Sequence, residues 1–165
     1  MDTRQISSIL SFCPLTKKDF RGVFPVDFIS QNHGPGLYVC NTDPSHLPGQ
    51  HWIVISISKN YTGEYFDSFG FPPQKVEFLN FLNRNTQHWT YNKKVLQHPF
   101  STVCGHYCVL YALNYSKGLS MEYFSAFFNQ NLYENDMVVH DYVKSSFGID
   151  VPLMDVDIIV NQLGY

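Results

Sequence analysis

Eight consecutive residues, His51-Trp52-Ile53-Val54-Ile55-Ser56-Ile57-Ser58, constrain this chain most. They are rich in β-branched side chains and apolar on both faces for most of their length. A strand of that kind cannot lie against water; it needs packed cover above and below. Lys59-Asn60-Tyr61-Thr62-Gly63 reads as a turn, and Glu64-Tyr65-Phe66-Asp67 as the returning partner strand. The centre of the fold is therefore expected to be a hairpin inside a larger sheet.

The flanking segments supply the cover. Ser8-Ile9-Leu10-Ser11-Phe12 predicts a short helix ending at Cys13-Pro14, and Thr16 a cap for a second one stopping near Gly22. Leu37 to Cys40 predicts a short strand. Val76, Phe78, Leu79, Phe81 and Leu82 recur as on one helix face. Trp89 to Leu96 predicts a further strand. Val103 to Tyr115 is apolar nearly all round, which predicts a buried helix. Ser120 is read as the cap of a helix through Phe128. Asn135 is read as the cap of another, with Met137, Val138, Tyr142 and Val143 inward and Gly148 past its end. The expected class is α+β: a central mixed or antiparallel β-sheet flanked by helices. No repeat or low-complexity linker divides the chain, so residues 1–165 are expected to form a single domain.

Composition closes off several functions. Hydrophobic residues make up 44% of 165, enough for a core without disulfides or metal. The net charge is −3 and no basic run is present, which weighs against DNA or RNA as a partner. No stretch reaches the roughly 18 apolar residues that span a membrane. Met1-Asp2-Thr3-Arg4-Gln5 leads into only a short apolar patch, so no signal peptide and an intracellular location are expected. The four cysteines, Cys13, Cys40, Cys104 and Cys108, are too few and scattered for a disulfide framework.

Four side chains stand at the mouths of these elements. Cys104 falls in the first turn of the predicted buried helix, with Thr102 as the expected cap. Unpaired amides and the helix dipole there favour a thiolate. Gly105 is expected to leave room for a substrate backbone. Cys108, one turn on, reads as core. His51 opens the central strand. The turn brings Asp67 roughly opposite it, and the even offset between them is compatible with one sheet face. An acid in an otherwise apolar run needs such a partner. The other histidines are less well placed: His33 and His46 lie in polar loops, His88 and His140 on predicted exposed faces, and His98 and His106 beside the cysteine without a rigid strand. Gln97, seven positions before Cys104, can donate its amide to a developing oxyanion, with the Cys104 backbone N–H as second donor. Nucleophile, base, orienting acid and oxyanion donor are the parts of a thiol hydrolase.

The order His51, Asp67, Gln97, Cys104 resembles that of the adenovirus-type cysteine proteases (adenain) and of the cellular ubiquitin-like-protein proteases. Asn41-Thr42 before His51-Trp52, the run Phe66-Asp67-Ser68-Phe69-Gly70-Phe71, and the Gln97-to-Cys104 spacing with Cys104-Gly105 are closer to the adenain pattern. The resemblance runs from Leu37 to about Asn114. It implies a papain-like core with rearranged chain order and the four roles just given. It also implies protein or peptide substrates cut at Gly-Gly or Gly-X motifs, and the maturation of virion precursors in a virus or virus-like transposon. The acid here, Asp67, is Asp as in the cellular branch, whereas adenain carries Glu. Adenain is stimulated by DNA and by a disulfide-linked peptide; an activating peptide is thus a possible partner, with Cys13 or Cys40 as candidate attachment points, and no cofactor is required for the chemistry.

Two rival readings follow. One is a processing protease for a ubiquitin-like modifier, which Asp67 fits. The other is a non-enzymatic module, either inactive or binding zinc through His98, Cys104, His106 and Cys108. Zinc knuckles normally come as paired C-x-x-C turns, which this chain lacks.

Overall fold

A computed structural model describes residues 1–154; the remainder of the expected 1–165 domain lies outside the described residues. Five strands form one mixed sheet in chain order: β1 (Phe20–Pro25), β2 (Gly36–Asn41), β3 (Trp52–Ile57), β4 (Thr62–Phe66) and β5 (His88–Tyr91). β2, β3 and β4 are antiparallel, and the two edge pairings are parallel. The class is the α+β arrangement that the sequence implied.

β3 lies at the middle, and all six of its residues are buried. Its alternate side chains serve two different cores. Trp52 and Val54 pack with α1 (Thr3–Phe12), α3 (Cys104–Ser116), α4 (Met121–Ala126) and α5 (Leu132–Phe147). Ile53, Ile55 and Ile57 pack with Phe78, Phe81 and Leu82 of α2 (Val76–Asn85) and with Ile29. The two-faced apolar pattern is thus satisfied by helices on both sides. α3 crosses the first face as the central helix, with ten of its residues buried. Ser56 and Glu64 lie on the same face, where the Tyr111 hydroxyl meets both.

Several local expectations fail for identifiable reasons. No helix follows Thr16. Its buried hydroxyl donates back to Leu10 O at 2.7 Å, closing the turn after α1. The chain then enters β1, whose register shifts between Phe20 and Gly22, and Gly22 takes φ +141, a conformation that disfavours a side chain. β5 stops at Tyr91 rather than Leu96, because Asn92 turns inward to bond the backbone of Asp67. α1 is capped by Asp2 in a reciprocal capping box with Gln5.

The last helix starts earlier than predicted. Asn131 caps α5, not Asn135, and Gly148 ends it in the left-handed region as expected. That shift turns the helix. Val139 and Val143 face inward, whereas Met137, Val138 and Tyr142 are exposed. Asn135 and Asp136 are buried instead, and their partners matter for the site below.

Phe66 carries the contact between sheet and α3. Its ring lies parallel to Tyr111 at 4.5 Å between centroids and edge-on to Phe124 at 5.3 Å. Truncation leaves a cavity between layers that cannot slide together. Phe66→Ala is expected to cost ~3–5 kcal/mol of unfolding free energy, measured by urea titration.

Candidate active site

The hairpin, the segment after β4 and the tip of α3 meet at one end of the sheet. His51 immediately precedes β3 and is anchored there by its carbonyl, which accepts from Thr42 N at 3.0 Å. Asp67 immediately follows β4. The His51 Nε2–H donates to Asp67 Oδ1 at 2.8 Å. The register differs in detail from a direct opposition. Phe66 pairs with Val54, so continuing the ladder sets Phe69, not Asp67, across from His51. Asp67 reaches the imidazole as a diagonal neighbour on the same face, which the even offset permits. Phe69 fills the opposite position and stacks on the imidazole, with 4.9 Å between ring centroids.

Asp67 is both a turn residue and a partner for histidine. Its Oδ1 also accepts from Phe69 N at 2.8 Å, and its carbonyl from Gly70 N at 2.8 Å. Buried Asn92 grips its backbone from the far side: Asp67 N donates to Asn92 Oδ1 at 2.8 Å, and Asn92 Nδ2 donates to Asp67 O at 2.6 Å. Gly70 turns the chain away with φ +72, and a side chain there would meet the Lys94 carbonyl at 3.0 Å. Asn92 carries no sequence signal of this role; an Asn in a polar stretch ordinarily reads as a loop residue.

Cys104 is the first residue of α3 and is 8% exposed. Thr102 does not cap the helix. Val103 is the cap position and offers no side-chain acceptor, while Thr102 Oγ1 donates to Pro152 O. His106 N donates to Val103 O at 2.9 Å, whereas among the described residues the Cys104 N–H, at the mouth of the helix, has no backbone acceptor. Gly105 leaves no space for substrate. An added Cβ would lie 2.9 Å from Met1 Cβ and 3.4 Å from Trp52 Cδ1, so this glycine admits α1 and the indole instead. Trp52 is wedged there, its Nε1–H donating to Met1 O at 3.1 Å.

Thiol and imidazole perturb one another in the sense an ion pair requires. Burial opposes charge on His51, but hydrogen bonds to Asp67 and Cys104, with their negative charges, outweigh it and raise the pKa to about 9. Burial likewise opposes a Cys104 thiolate. The hydrogen bond and charge of His51 and the Trp52 backbone N–H overcome it and pull the thiol below its ordinary value. With Nε2 on Asp67, Nδ1 is the ring nitrogen left for the sulfur. Cys108 shares the helix but not the effect: it is fully buried, and burial pushes its thiol well up.

Gln97 is buried beside this pair. Its Oε1 accepts from Ser68 Oγ at 2.6 Å, and its Nε2 donates to Ser101 O at 2.9 Å, leaving the second amide hydrogen uncommitted. The loop bearing it is clamped by the inward residues of α5. Asn135 Nδ2 donates to Leu96 O at 3.1 Å, and Asp136 Oδ2 accepts from His98 N at 3.1 Å. All four candidate residues thus collect at one end of the sheet.

The proposed zinc ligands do not. Among the described residues no group of three or more His, Cys, Asp or Glu side chains gathers around a common point. His106 is buried and its ring lies 5.7 Å from that of His140, which bonds Val151 O rather than facing solvent. Cys40 is fully buried in the sheet, a poor place for attachment of an outside peptide, and Cys13 is half-buried. Among the described residues no helix is long and apolar enough to cross a membrane.

No family model and no curated protein sequence matches this chain. Solved structures do. The crystal structure of ASFV pS273R protease overlays with a TM-score of 0.61 at 18% identity, covering 81% of this chain and 63% of its own. The chain has the fold of that protease. A selenomethionine crystal of the same protease gives 0.56 at 16% identity, over 85% of this chain and 66% of its own. ChlaDub1 from Chlamydia trachomatis gives 0.49 at 17% identity, over 67% and 58%. The chain therefore spans slightly less than two thirds of the length of the viral protease whose fold it shares.

The shifted pair makes a definite prediction for thiol reactivity. Iodoacetamide is expected to label Cys104 rapidly at mildly acidic pH, where an ordinary thiol near pKa 8.5 is inert, and to leave Cys108 unlabelled. In His51→Ala the stabilising cation is gone, so the reaction is expected to need alkaline pH. Mass-spectrometric labelling rates against pH check both.

Proposed function

We propose that this chain is a cysteine endopeptidase, with Cys104 as nucleophile, His51 as general base and acid, Asp67 as the orienting carboxylate and Gln97 as oxyanion donor. The observation that carries the reading is the 2.8 Å bond from His51 Nε2 to Asp67 Oδ1, on an imidazole close enough to Cys104 to draw its thiol below the ordinary value. The fold shared with a viral protease supports it.

The steps follow from the geometry. His51 holds the Cys104 proton, and the thiolate attacks the scissile carbonyl carbon. The C–S bond forms as the carbonyl π pair moves to oxygen, where the Gln97 Nε2–H and the Cys104 N–H receive the charge. Collapse breaks the C–N bond, and the imidazolium gives its proton to the leaving amine. Water then attacks the thioester while His51 accepts its proton, and the thiolate departs. Asp67 keeps Nε2 protonated, so Nδ1 faces the sulfur in each half-reaction.

For the substrate, we propose virus or virus-like precursor proteins cut at Gly-containing motifs during particle maturation, in the virion and in the host nucleus or cytoplasm. The resemblance of the Phe66–Phe71 and Gln97–Gly105 segments supports this, as does the shared fold. An activating peptide remains part of the proposal, bound without Cys40. The second reading is removal or processing of a ubiquitin-like modifier, favoured by Asp67 as the acid. Side-by-side digestion of a Gly-X capsid-type peptide and a Gly-Gly modifier fusion separates them. Faster cleavage of the peptide is expected, and exclusive cleavage of the fusion overturns the maturation role.

Cys104→Ala is expected to abolish cleavage, and His51→Ala to lower kcat/KM by about 10³-fold or more. Asp67→Asn keeps the turn acceptor but removes the charge. It is expected to cost less than His51→Ala and to move the alkaline limb of the pH–rate profile down from about 9, because the lost carboxylate no longer favours the imidazolium. An unchanged profile contradicts the role of Asp67.

A further inference from the structure

The residue between the two site contacts of the post-β4 segment has no assigned part. Ser68 is only 1% exposed, and both of its oxygens bond the Gln97 loop. Its hydroxyl donates to Gln97 Oε1 at 2.6 Å. Its carbonyl accepts from Leu96 N at 2.9 Å and from Gln97 N at 3.1 Å. A carboxamide has one acceptor oxygen and two N–H donors, and only the donors can stabilise an oxyanion. Ser101 O takes one donor at 2.9 Å. Ser68 Oγ–H takes the acceptor. The pair of bonds fixes both the flip and the tilt of the amide and leaves a single N–H uncommitted.

We propose that Ser68 is a positioning residue for the oxyanion, acting through the Gln97 carboxamide, so that Asp67-Ser68-Phe69 organises base and oxyanion donor together. This rests on the protease reading above. Asp67 Oδ1 and the Phe69 ring hold His51 in place. Ser68, between them, holds Gln97. Any displacement of the segment therefore moves both halves of the site in concert, which keeps the thiolate and the oxyanion donors in register.

The proposal separates two chemistries at the same sulfur. Alkylation by iodoacetamide needs a thiolate and no oxyanion. Addition to a peptide aldehyde forms a C–S bond and places the carbonyl π pair on oxygen, so it needs the donors. The experiment uses the wild type, Ser68→Ala, Gln97→Ala and the double variant, with iodoacetamide as one probe and a Gly-Gly peptide aldehyde as the other. Aldehyde affinity is read as protection of Cys104 from alkylation. Ser68→Ala is expected to alkylate at the wild-type rate with the wild-type pH profile and to bind the aldehyde about tenfold more weakly. In the Gln97→Ala background the same change is expected to add nothing.

Equal losses from Ser68→Ala with and without Gln97 overturn the proposal, as does wild-type aldehyde affinity in Ser68→Ala. A parallel fall in alkylation assigns Ser68 a purely structural role and also overturns it. Failure of the wild type to alkylate faster than an ordinary thiol is a different result: it overturns the protease reading itself.

Discussion

The candidate site depends on a single ion pair formed where two neighbouring strands leave the sheet. His51 stands at the start of β3 and Asp67 just past the end of β4, and their side chains meet at 2.8 Å. Because β3 is buried on both faces, neither residue can shift without disturbing a packed core. The sheet thus acts as a rigid mount for the imidazole. α3, packed on the face of Trp52 and Val54, starts at this end of the sheet and brings the Cys104 sulfur to the ring. A cysteine this buried would ordinarily hold its proton; its lowered pKa is produced by that imidazole and not by solvent.

A second layer of buried polar residues defines where the loops go. Asn92 holds Asp67 by both backbone atoms, and Asn135 and Asp136 hold the backbone on either side of Gln97. Buried polar groups of this kind contribute little net stability, yet leaving one unpaired is costly. They favour one loop arrangement by penalising the others. The site is consequently preorganised by backbone clamps that lie outside the reacting atoms.

The parts legible in the sequence are those that periodicity or adjacency controls. The β3–β4 hairpin, the two-sided burial of β3 and the apolar α3 follow from side-chain pattern alone; His51, Asp67 and Cys104 stand at the ends of those elements, and Gln97 in the loop before α3. The parts that were not legible depend on contacts remote in sequence. β1 resembles a capped helix until its parallel pairing with β2 is known, because Thr16 bonds Leu10 O and not a downstream amide. Asn135 has the composition of a cap, and only the true cap at Asn131 turns it inward. Gly105 reads as an opening for substrate, but the space is taken by Met1 and Trp52. Asn92 and Ser68 bond across 25 and 29 residues, a distance over which no local pattern is informative.

With a carboxylate and a thiolate beside it, His51 is expected to be an imidazolium at neutral pH. Nitrogen-15 chemical shifts of the His51 ring, followed against pH in the intact chain, test this most directly. A doubly protonated ring through neutrality that titrates near pH 9 is expected, with a lower midpoint in Cys104→Ala. A His51 ring that titrates at its ordinary value of 6.5, indifferent to Cys104, contradicts it.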